Sequence, residues 1–216
     1  MASRRKGMLA GLAAGVAAIA AMTLVGTGAN ADHHGMKKAE VGKKAPDFTL
    51  VDHEGNSHTL SEYTEKGHVV VLEWFNAKCP FVVRHYATYP TMKELNEKYS
   101  GKKVTWLAIN SAHEGHMTHG IDAEYAASWG IEYPILNDET GKVGKMYEAK
   151  TTPHMYIIDT DGILRYNGAI DDDPRDRKER SAKVNYVDQA LGQILAGETV
   201  TQAETKAYGC SVKYAK

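Results

Sequence analysis

The chain has 216 residues, of which 25% are charged and 43% hydrophobic, and its formal net charge is −1 at pH 7. A nearly neutral chain offers no basic surface for nucleic acid, so we expect no nucleic-acid partner. Its two cysteines, Cys79 and Cys210, form an even count that permits one disulfide without requiring it.

The first 31 residues have the layout of a secretory signal peptide. A basic start at Arg4 and Arg5 precedes an apolar, alanine-rich stretch over residues 8–25, and small residues lead to a cleavage site after Ala31. The alternative is an uncleaved membrane anchor, although the stretch reaches only the lower length limit of a spanning helix. Cleavage would remove three basic and no acidic residues, which changes the net charge to −4. We therefore predict a periplasmic or secreted protein without stable membrane insertion.

The remaining 185 residues suit one domain with a proper core. Residues 32–44 are polar and are predicted to form a flexible lead-in. Residues 45–200 are predicted to form the domain, and residues 201–216 a C-terminal tail that carries Cys210.

A hairpin and a buried strand begin the predicted domain. Two short segments flank a Gly-Asn turn at residues 55–56, which indicates a β-hairpin. Residues 68–75 are a nearly continuous run of β-branched and aromatic side chains, typical of a strand buried on both faces. Beyond Cys79, apolar side chains recur at steps of three and four as far as Tyr99, which predicts an amphipathic helix interrupted near Pro90.

Strands and helices alternate through the rest of the chain. The predicted elements are a strand over 104–110, a helix over 122–129 ended by Gly130, an extended segment over 131–136, a helical turn over 140–147, an antiparallel hairpin over 154–170 and a helix over 184–195. The last helix is predicted to pack through Val184, Val187, Leu191 and Leu195. This order predicts an α/β fold with a central, mainly parallel sheet, flanking helices and an antiparallel edge hairpin.

Cys79 lies between the buried strand and the helix, in the sequence NAKCPFVV. A cysteine at a helix N-terminus meets unpaired N–H groups and the positive end of the helix dipole, which favour the thiolate. Pro80 suits the first helical position because its missing N–H would have no partner there. Position 82, where a two-cysteine redox motif has its second thiol, is valine. The pattern predicts a nucleophilic thiolate, with a buried and inert structural thiol as the alternative.

Several segments together resemble the thioredoxin-fold proteins of the peroxiredoxin-like (AhpC/TSA, redoxin) family. VGKKAPDFTL is similar to the start of those domains, VVVLEWFNAKCP to their active-site strand and turn, and TTPHMYIIDTDG to their cis-proline loop. NGAIDDD, QALGQILAGETV and YGCSVKY resemble a subgroup with a single cysteine at this turn and a Gly-Cys near the C-terminus.

The resemblance implies a thioredoxin-like fold in which a cis Thr152-Pro153 peptide packs against the Cys79 turn. It implies a thiol-disulfide oxidoreductase or a thiol-dependent, peroxidase-like antioxidant that exchanges electrons with a thiol or disulfide partner and needs no cofactor. Thr152 and Pro153 would form the substrate-side loop, where an extended partner can pair with the backbone.

The sequence departs from the family pattern in its cysteines. Val82 stands in the place of a second thiol, Thr151 in the place of a further cysteine found in some members, and the peroxidatic Pro-x-x-x-Thr-x-x-Cys motif is absent. A thiolate that attacks a disulfide or is oxidised needs a second thiol to resolve it. We therefore predict that the tail folds back and brings Cys210 to Cys79, with a permanent structural bridge or an unpaired tail thiol as the alternatives.

Glu73 lies in the otherwise apolar strand, six residues before Cys79. Thioredoxin-like proteins often have a buried carboxylate at this place, and a buried carboxyl resists ionisation and can relay a proton to or from the sulfur. An exposed glutamate at a strand edge is the alternative.

A histidine-rich loop carries the signal for a different class of function. Imidazole and thioether ligands suit copper, and the loop offers His113, His116, Met117 and His119, to which His33, His34 and Met36 are added near the predicted mature N-terminus. The alternative functional hypothesis is therefore a copper-handling protein. Solvated loop histidines are the competing interpretation, since no second shell is evident.

Overall fold

The computed structural model describes residues 37–216, so the predicted signal peptide lies outside the described residues. The strands are β1 (Thr49–Asp52), β2 (Ser57–Thr59), β3 (Val69–Trp74), β4 (Val104–Asn110), β5 (Ile135–Asn137), β6 (Thr151–Thr152), β7 (Met155–Ile158), β8 (Leu164–Gly168) and β9 (Cys210–Ser211). The helices are α1 (Leu60–Glu65), α2 (Pro80–Val83), α3 (Thr91–Tyr99), α4 (Asp122–Trp129), α5 (Lys142–Met146) and α6 (Tyr186–Leu195).

Seven of these strands form one sheet in the order β2-β1-β5-β4-β3-β7-β8. The middle strands β5, β4 and β3 run parallel, and the antiparallel hairpin β7-β8 lies at one edge, as predicted. The predicted hairpin β1-β2 extends the opposite edge, because β1 pairs antiparallel with β5. The predicted α/β class is confirmed, with antiparallel strands at both edges of the parallel centre.

Side-chain alternation along β3 divides the core between the two faces of the sheet, since successive residues of a strand point to opposite sides. Val69 and Val71 pack with residues of α3, α4 and α6 on one face. Val70, Leu72 and Trp74 pack with residues of α1 and α5 on the other. Every residue of β3 is buried, which confirms the predicted central strand.

The predicted helix after Cys79 is interrupted where the sequence indicates. Helix α2 continues into a π-helical turn, Arg84–Thr88, and Pro90 separates that turn from α3. The inward side chains Val82, Met92, Leu95 and Tyr99 are buried.

Helix α6 differs in part from its prediction. Val187 and Leu191 are buried, but Val184 and Leu195 are 44% and 39% exposed, so their assignment to the packed face is wrong. The Asn185 side chain accepts the Asp188 N–H and caps the helix, which leaves Val184 outside it. Leu195 is the last helical residue.

Residues 39–42, within the predicted lead-in, are hydrogen-bonded to α5 and β8. The Ala39 N–H donates to the Met146 carbonyl at 3.0 Å and the Gly42 N–H to the Leu164 carbonyl at 2.8 Å, so the chain is docked there rather than flexible as predicted. None of the helices between residues 37 and 216 has the length and hydropathy needed to cross a bilayer.

Candidate redox site

Cys79 occupies the N-cap of α2, with Pro80 at the first helical position, as predicted. The turn that leads to it is fixed by Asn76, whose carbonyl accepts the Cys79 N–H and whose side-chain oxygen accepts the Lys78 N–H, both at 3.0 Å. The Cys79 residue is only 2% exposed. Its surroundings therefore decide whether it is the inert thiol of the alternative interpretation.

The cis-proline loop lies directly against the sulfur. The Thr152-Pro153 peptide bond is cis, as the resemblance implies, and the Cys79 thiol donates to the Thr152 carbonyl at 2.9 Å. The Trp74 N–H donates to the His154 carbonyl at 2.9 Å, which joins this loop to the end of β3. Within residues 37–216 the buried Thr152 hydroxyl has no hydrogen-bond partner, so it remains available to donate to a thiolate.

The C-terminal tail reaches the same place from the far end of the chain. Strand β9 pairs antiparallel with β6, and this register sets Cys210 opposite Thr152 and Ser211 opposite Thr151. Cys210 therefore lies beside Thr152, whose carbonyl accepts the Cys79 thiol, and both cysteines are free thiols. The structure thus brings together four predicted site residues: Cys79, Thr152, Pro153 and Cys210.

The two thiols differ in acidity. Burial alone raises the pKa of Cys79, but interactions with Cys210, with Thr152 and with the backbone amide of Val82 outweigh burial and hold the pKa below its ordinary value. Burial and the neighbouring Cys79 raise the pKa of Cys210 to about 11. Cys79 is therefore the thiol that ionises first, and Cys210 is a proton donor beside it.

Gly209 allows the tail to approach this closely. A Cβ atom at Gly209 would lie 2.0 Å from the Thr152 carbonyl oxygen, and the glycine has φ +139, a conformation that L side chains rarely adopt. The Gly-Cys pair entered the sequence analysis only as part of the family resemblance, and the sequence did not show that Thr152 lies beside Gly209.

Glu73 is fully buried on the α3 side of the sheet, which excludes an exposed strand-edge glutamate. Its Oε2 atom accepts hydrogen bonds from the Tyr86 hydroxyl at 2.7 Å and from the Trp106 indole at 3.2 Å, and the Tyr86 hydroxyl also contacts that of Tyr133. Burial raises the pKa of Glu73 to about 7, although these hydrogen bonds oppose the shift. Among the described residues no hydrogen bond joins Glu73 to Cys79, so its proton relay stays a prediction.

We expect Glu73→Gln to abolish the pH dependence that Glu73 gives to the free energy of unfolding. Between pH 4.5 and about 7 the unfolded carboxyl is ionised while the folded one keeps its proton, so the free energy of unfolding of the wild type falls as pH rises. The fall should total roughly 3 kcal/mol and be complete above pH 7, because each unit of pKa difference corresponds to about 1.4 kcal/mol. Denaturant unfolding at several pH values measures this slope.

The exposed Glu65→Gln variant is the control and should keep the wild-type slope. An equal slope in Glu73→Gln and wild type would contradict a protonated, buried Glu73.

The histidine loop does not gather into a metal site within residues 37–216, where no group of three or more His, Cys, Asp or Glu residues is arranged to hold a metal ion. His113 contacts the Glu114 carbonyl, His116 the Thr118 hydroxyl at 2.8 Å, and His119 the Glu139 carboxylate at 3.0 Å. Met117 is 72% exposed. The candidate ligands His33, His34 and Met36 lie outside the described residues.

Comparison with known proteins identifies the family. The AhpC/TSA family model matches residues 41–167, which is more than half of the chain. The chain belongs to the AhpC/TSA family. The predicted family is thus confirmed, and the match contains Cys79, Glu73 and the cis-proline loop.

Relatives of this AhpC/TSA protein include a thiol-disulfide oxidoreductase, ResA of Geobacillus kaustophilus, which is 33% identical over 125 residues, or 58% of this chain and 67% of the relative. An uncharacterized conserved protein of Geobacillus kaustophilus has a solved structure with TM-score 0.71 and 30% identity, covering 82% of this chain and 93% of its own. The structure of the peroxidoxin BcpB from Mycobacterium tuberculosis matches with TM-score 0.50 and 19% identity over 73% of this chain and 95% of its own, which shows the fold alone. The predicted thioredoxin-like fold and oxidoreductase class are confirmed, and the type of reaction is left open.

Proposed function

We propose that the protein is an exported thiol-disulfide oxidoreductase in which Cys79 is the attacking thiol and Cys210 the resolving thiol. The observation that carries this proposal is that β6 brings two free thiols to the same residue, Thr152, with the pKa of Cys79 lowered and that of Cys210 raised. Export is proposed from the N-terminal sequence, whose layout is that of a signal peptide.

The reaction follows from the order in which the thiols ionise. The Cys79 thiolate attacks one sulfur of a substrate disulfide, forms a mixed disulfide and expels the other substrate sulfur as a thiolate. Cys210 then gives up its proton and attacks the Cys79 sulfur, which expels the second substrate thiolate and leaves a Cys79–Cys210 disulfide. Two electrons pass to the substrate, and the two protons released by the cysteines end on the substrate thiols.

Each group beside the sulfur has a separate part in this scheme. The Thr152 hydroxyl and the Val82 amide favour the thiolate, which is the attacking form of Cys79. The β6 strand beside Cys79 pairs with the backbone of Cys210, so a tail displaced by the entering substrate returns to a fixed register for the second attack. In the reverse direction the same disulfide would oxidise a dithiol partner, so the geometry is compatible with electron flow either way.

The proposal is tested with glutathione disulfide as the substrate. The reduced full chain should release two equivalents of glutathione and acquire a Cys79–Cys210 disulfide, found by non-reducing peptide mapping. The Cys79→Ser variant should release far less, because it lacks the thiol whose pKa is lowered, while burial still raises the pKa of Cys210.

The same assay with hydrogen peroxide in place of glutathione disulfide distinguishes a thiol-disulfide oxidoreductase from a thiol-dependent peroxidase. Cys79-dependent peroxide consumption that needs an added thiol, without reaction with glutathione disulfide, would replace the proposal by a thiol-dependent peroxidase. Equal glutathione release by the wild type and Cys79→Ser would end both versions.

A further inference from the structure

Tyr208, two residues before Cys210, ends in a polar cluster that the redox chemistry does not use. Its hydroxyl donates to the Asp171 carboxylate at 2.5 Å. The hydroxyl has a single proton, so the Arg84 guanidinium at 3.0 Å and the His85 Nε2 atom at 3.2 Å are positioned to donate to its oxygen. We refer to Tyr208, Asp171, His85 and Arg84 as the Tyr208 anchor.

The anchor is built into the interior rather than laid on the surface. Asp171 and His85 are 5% and 2% exposed. The Arg84 guanidinium lies 5.9 Å from the Phe81 ring centroid and 5.5 Å from that of Tyr208, so it neighbours two aromatic rings that also contact each other. A buried carboxylate costs free energy unless it is hydrogen-bonded, and the Tyr208 hydroxyl and the Asp173 N–H both donate to Asp171.

The anchor connects the two halves of the candidate redox site. Arg84 and His85 follow Cys79 on the same helical segment, and Tyr208 precedes Cys210 on the tail. Gly209 separates Tyr208 from Cys210 and, lacking a side chain, does not restrict the backbone by itself. After Cys210 the tail is held separately, because the Val212 N–H donates to the Lys150 carbonyl at 3.2 Å and the Tyr214 hydroxyl to the Ala149 carbonyl at 2.8 Å. The contacts of Tyr208 therefore fix the chain on the N-terminal side of Cys210.

We propose that Tyr208 is a positioning residue for Cys210, and that the Tyr208 anchor ties the resolving thiol to the helix that carries the attacking thiol. This rests on the proposed function, and it gives a role to Asp171, which lies far from both sulfurs in sequence. The anchor acts by lowering the freedom of Cys210 before it attacks, which raises its effective concentration at Cys79.

The test uses Tyr208→Phe, which removes only the hydroxyl group, in the full chain equilibrated with glutathione buffers. The equilibrium constant for the Cys79–Cys210 disulfide should fall about tenfold, the order expected for loss of one hydrogen bond to a charged acceptor. The matched control is Tyr99→Phe, which removes a 2.7 Å hydrogen bond to the Asp188 carboxylate between α3 and α6 and should leave the constant unchanged. Asp171→Asn should lower the constant as well, and the double variant Tyr208→Phe/Asp171→Asn should cost less than the product of the two single effects.

A second measurement is independent of disulfide formation. In a Cys79→Ser background, Tyr208→Phe should raise the alkylation rate of Cys210 by iodoacetamide severalfold, while the melting temperature stays near that of Tyr99→Phe. An unchanged glutathione equilibrium together with an unchanged alkylation rate would overturn the anchor. A different outcome would be that the wild type forms no Cys79–Cys210 disulfide while Tyr208→Phe still speeds alkylation of Cys210. That result would contradict the proposed function but support the Tyr208 anchor as the contact that docks the tail.

Discussion

Replacing Cys210 with serine should stop the protein at the mixed disulfide. Cys79 keeps a hydrogen-bonding neighbour, because the serine hydroxyl is a donor of similar size, so the first attack on glutathione disulfide should still occur. The second attack cannot, because serine is not a nucleophile toward sulfur at neutral pH. We expect one glutathione released per chain, one retained on Cys79, and a rate of complete turnover lower by on the order of 100-fold or more, since an aligned internal thiol is replaced by thiols from solution.

Mass spectrometry of the intact chain measures the trapped adduct, and peptide mapping assigns it to Cys79. Ser211→Ala is the matched control, because Ser211 is the other residue of β9 and its exposed side chain does not face the candidate site. It should release two equivalents like the wild type. A Cys210→Ser variant that completes the reaction at the wild-type rate would show that resolution comes from another thiol.

The parts of the site that the sequence predicted are those formed by neighbours in the chain. The apolar run over residues 68–75 and the Cys-Pro pair sufficed for strand β3, the N-cap position of Cys79 and the first helical position of Pro80, since each depends on local periodicity and backbone hydrogen bonding. Gly130 ended α4 as predicted because a left-handed residue at that place favours glycine.

Contacts between distant segments were beyond the sequence pattern. Strand β9 has two residues, too few for a period, and only its register against β6 sets Cys210 opposite Thr152. The tail was predicted to fold back on chemical grounds, because a lone thiolate needs a partner, but no residue pattern indicated Asp171 as the acceptor for Tyr208. Burial of Glu73 likewise depends on Tyr86 and Trp106, which come from other elements.

The burial of Cys79 does not by itself make the thiol inert, because part of its cover is the C-terminal tail. A buried cysteine without partners is inert, and the 2% exposure of Cys79 matches that expectation. The sulfur nevertheless contacts the Thr152 carbonyl, and the tail pairs with that residue through Cys210, so its surroundings are not an apolar core alone. Access of a substrate to the Cys79 sulfur is therefore expected to depend on displacement of the tail. The strength with which the tail docks then determines how well Cys79 is shielded from solvent and how readily it reacts.

Gly209→Ala is expected to disturb that docking beside Cys210. The added Cβ would lie 2.0 Å from the Thr152 oxygen and 2.7 Å from its carbonyl carbon, which are backbone atoms that cannot turn aside. Alanine must also adopt φ +139, and a residue forced into so rarely populated a conformation costs about 1–3 kcal/mol. The tail should leave β6 rather than accept both costs, so the glutathione equilibrium constant for the Cys79–Cys210 disulfide should fall by about 10- to 100-fold.

Gly197→Ala separates steric displacement from backbone strain. Gly197 has φ +74 at the end of α6, but a Cβ there would meet nothing within 4 Å, so this variant bears the conformational cost without the collision. It should lose stability while keeping the wild-type disulfide equilibrium. Iodoacetamide should label Cys79 faster in Gly209→Ala than in Gly197→Ala, because withdrawal of the tail uncovers a sulfur that still has the Thr152 hydroxyl and the Val82 amide beside it. Equal labelling rates and equal equilibrium constants in the two variants would mean that contact between Gly209 and Thr152 does not control the site.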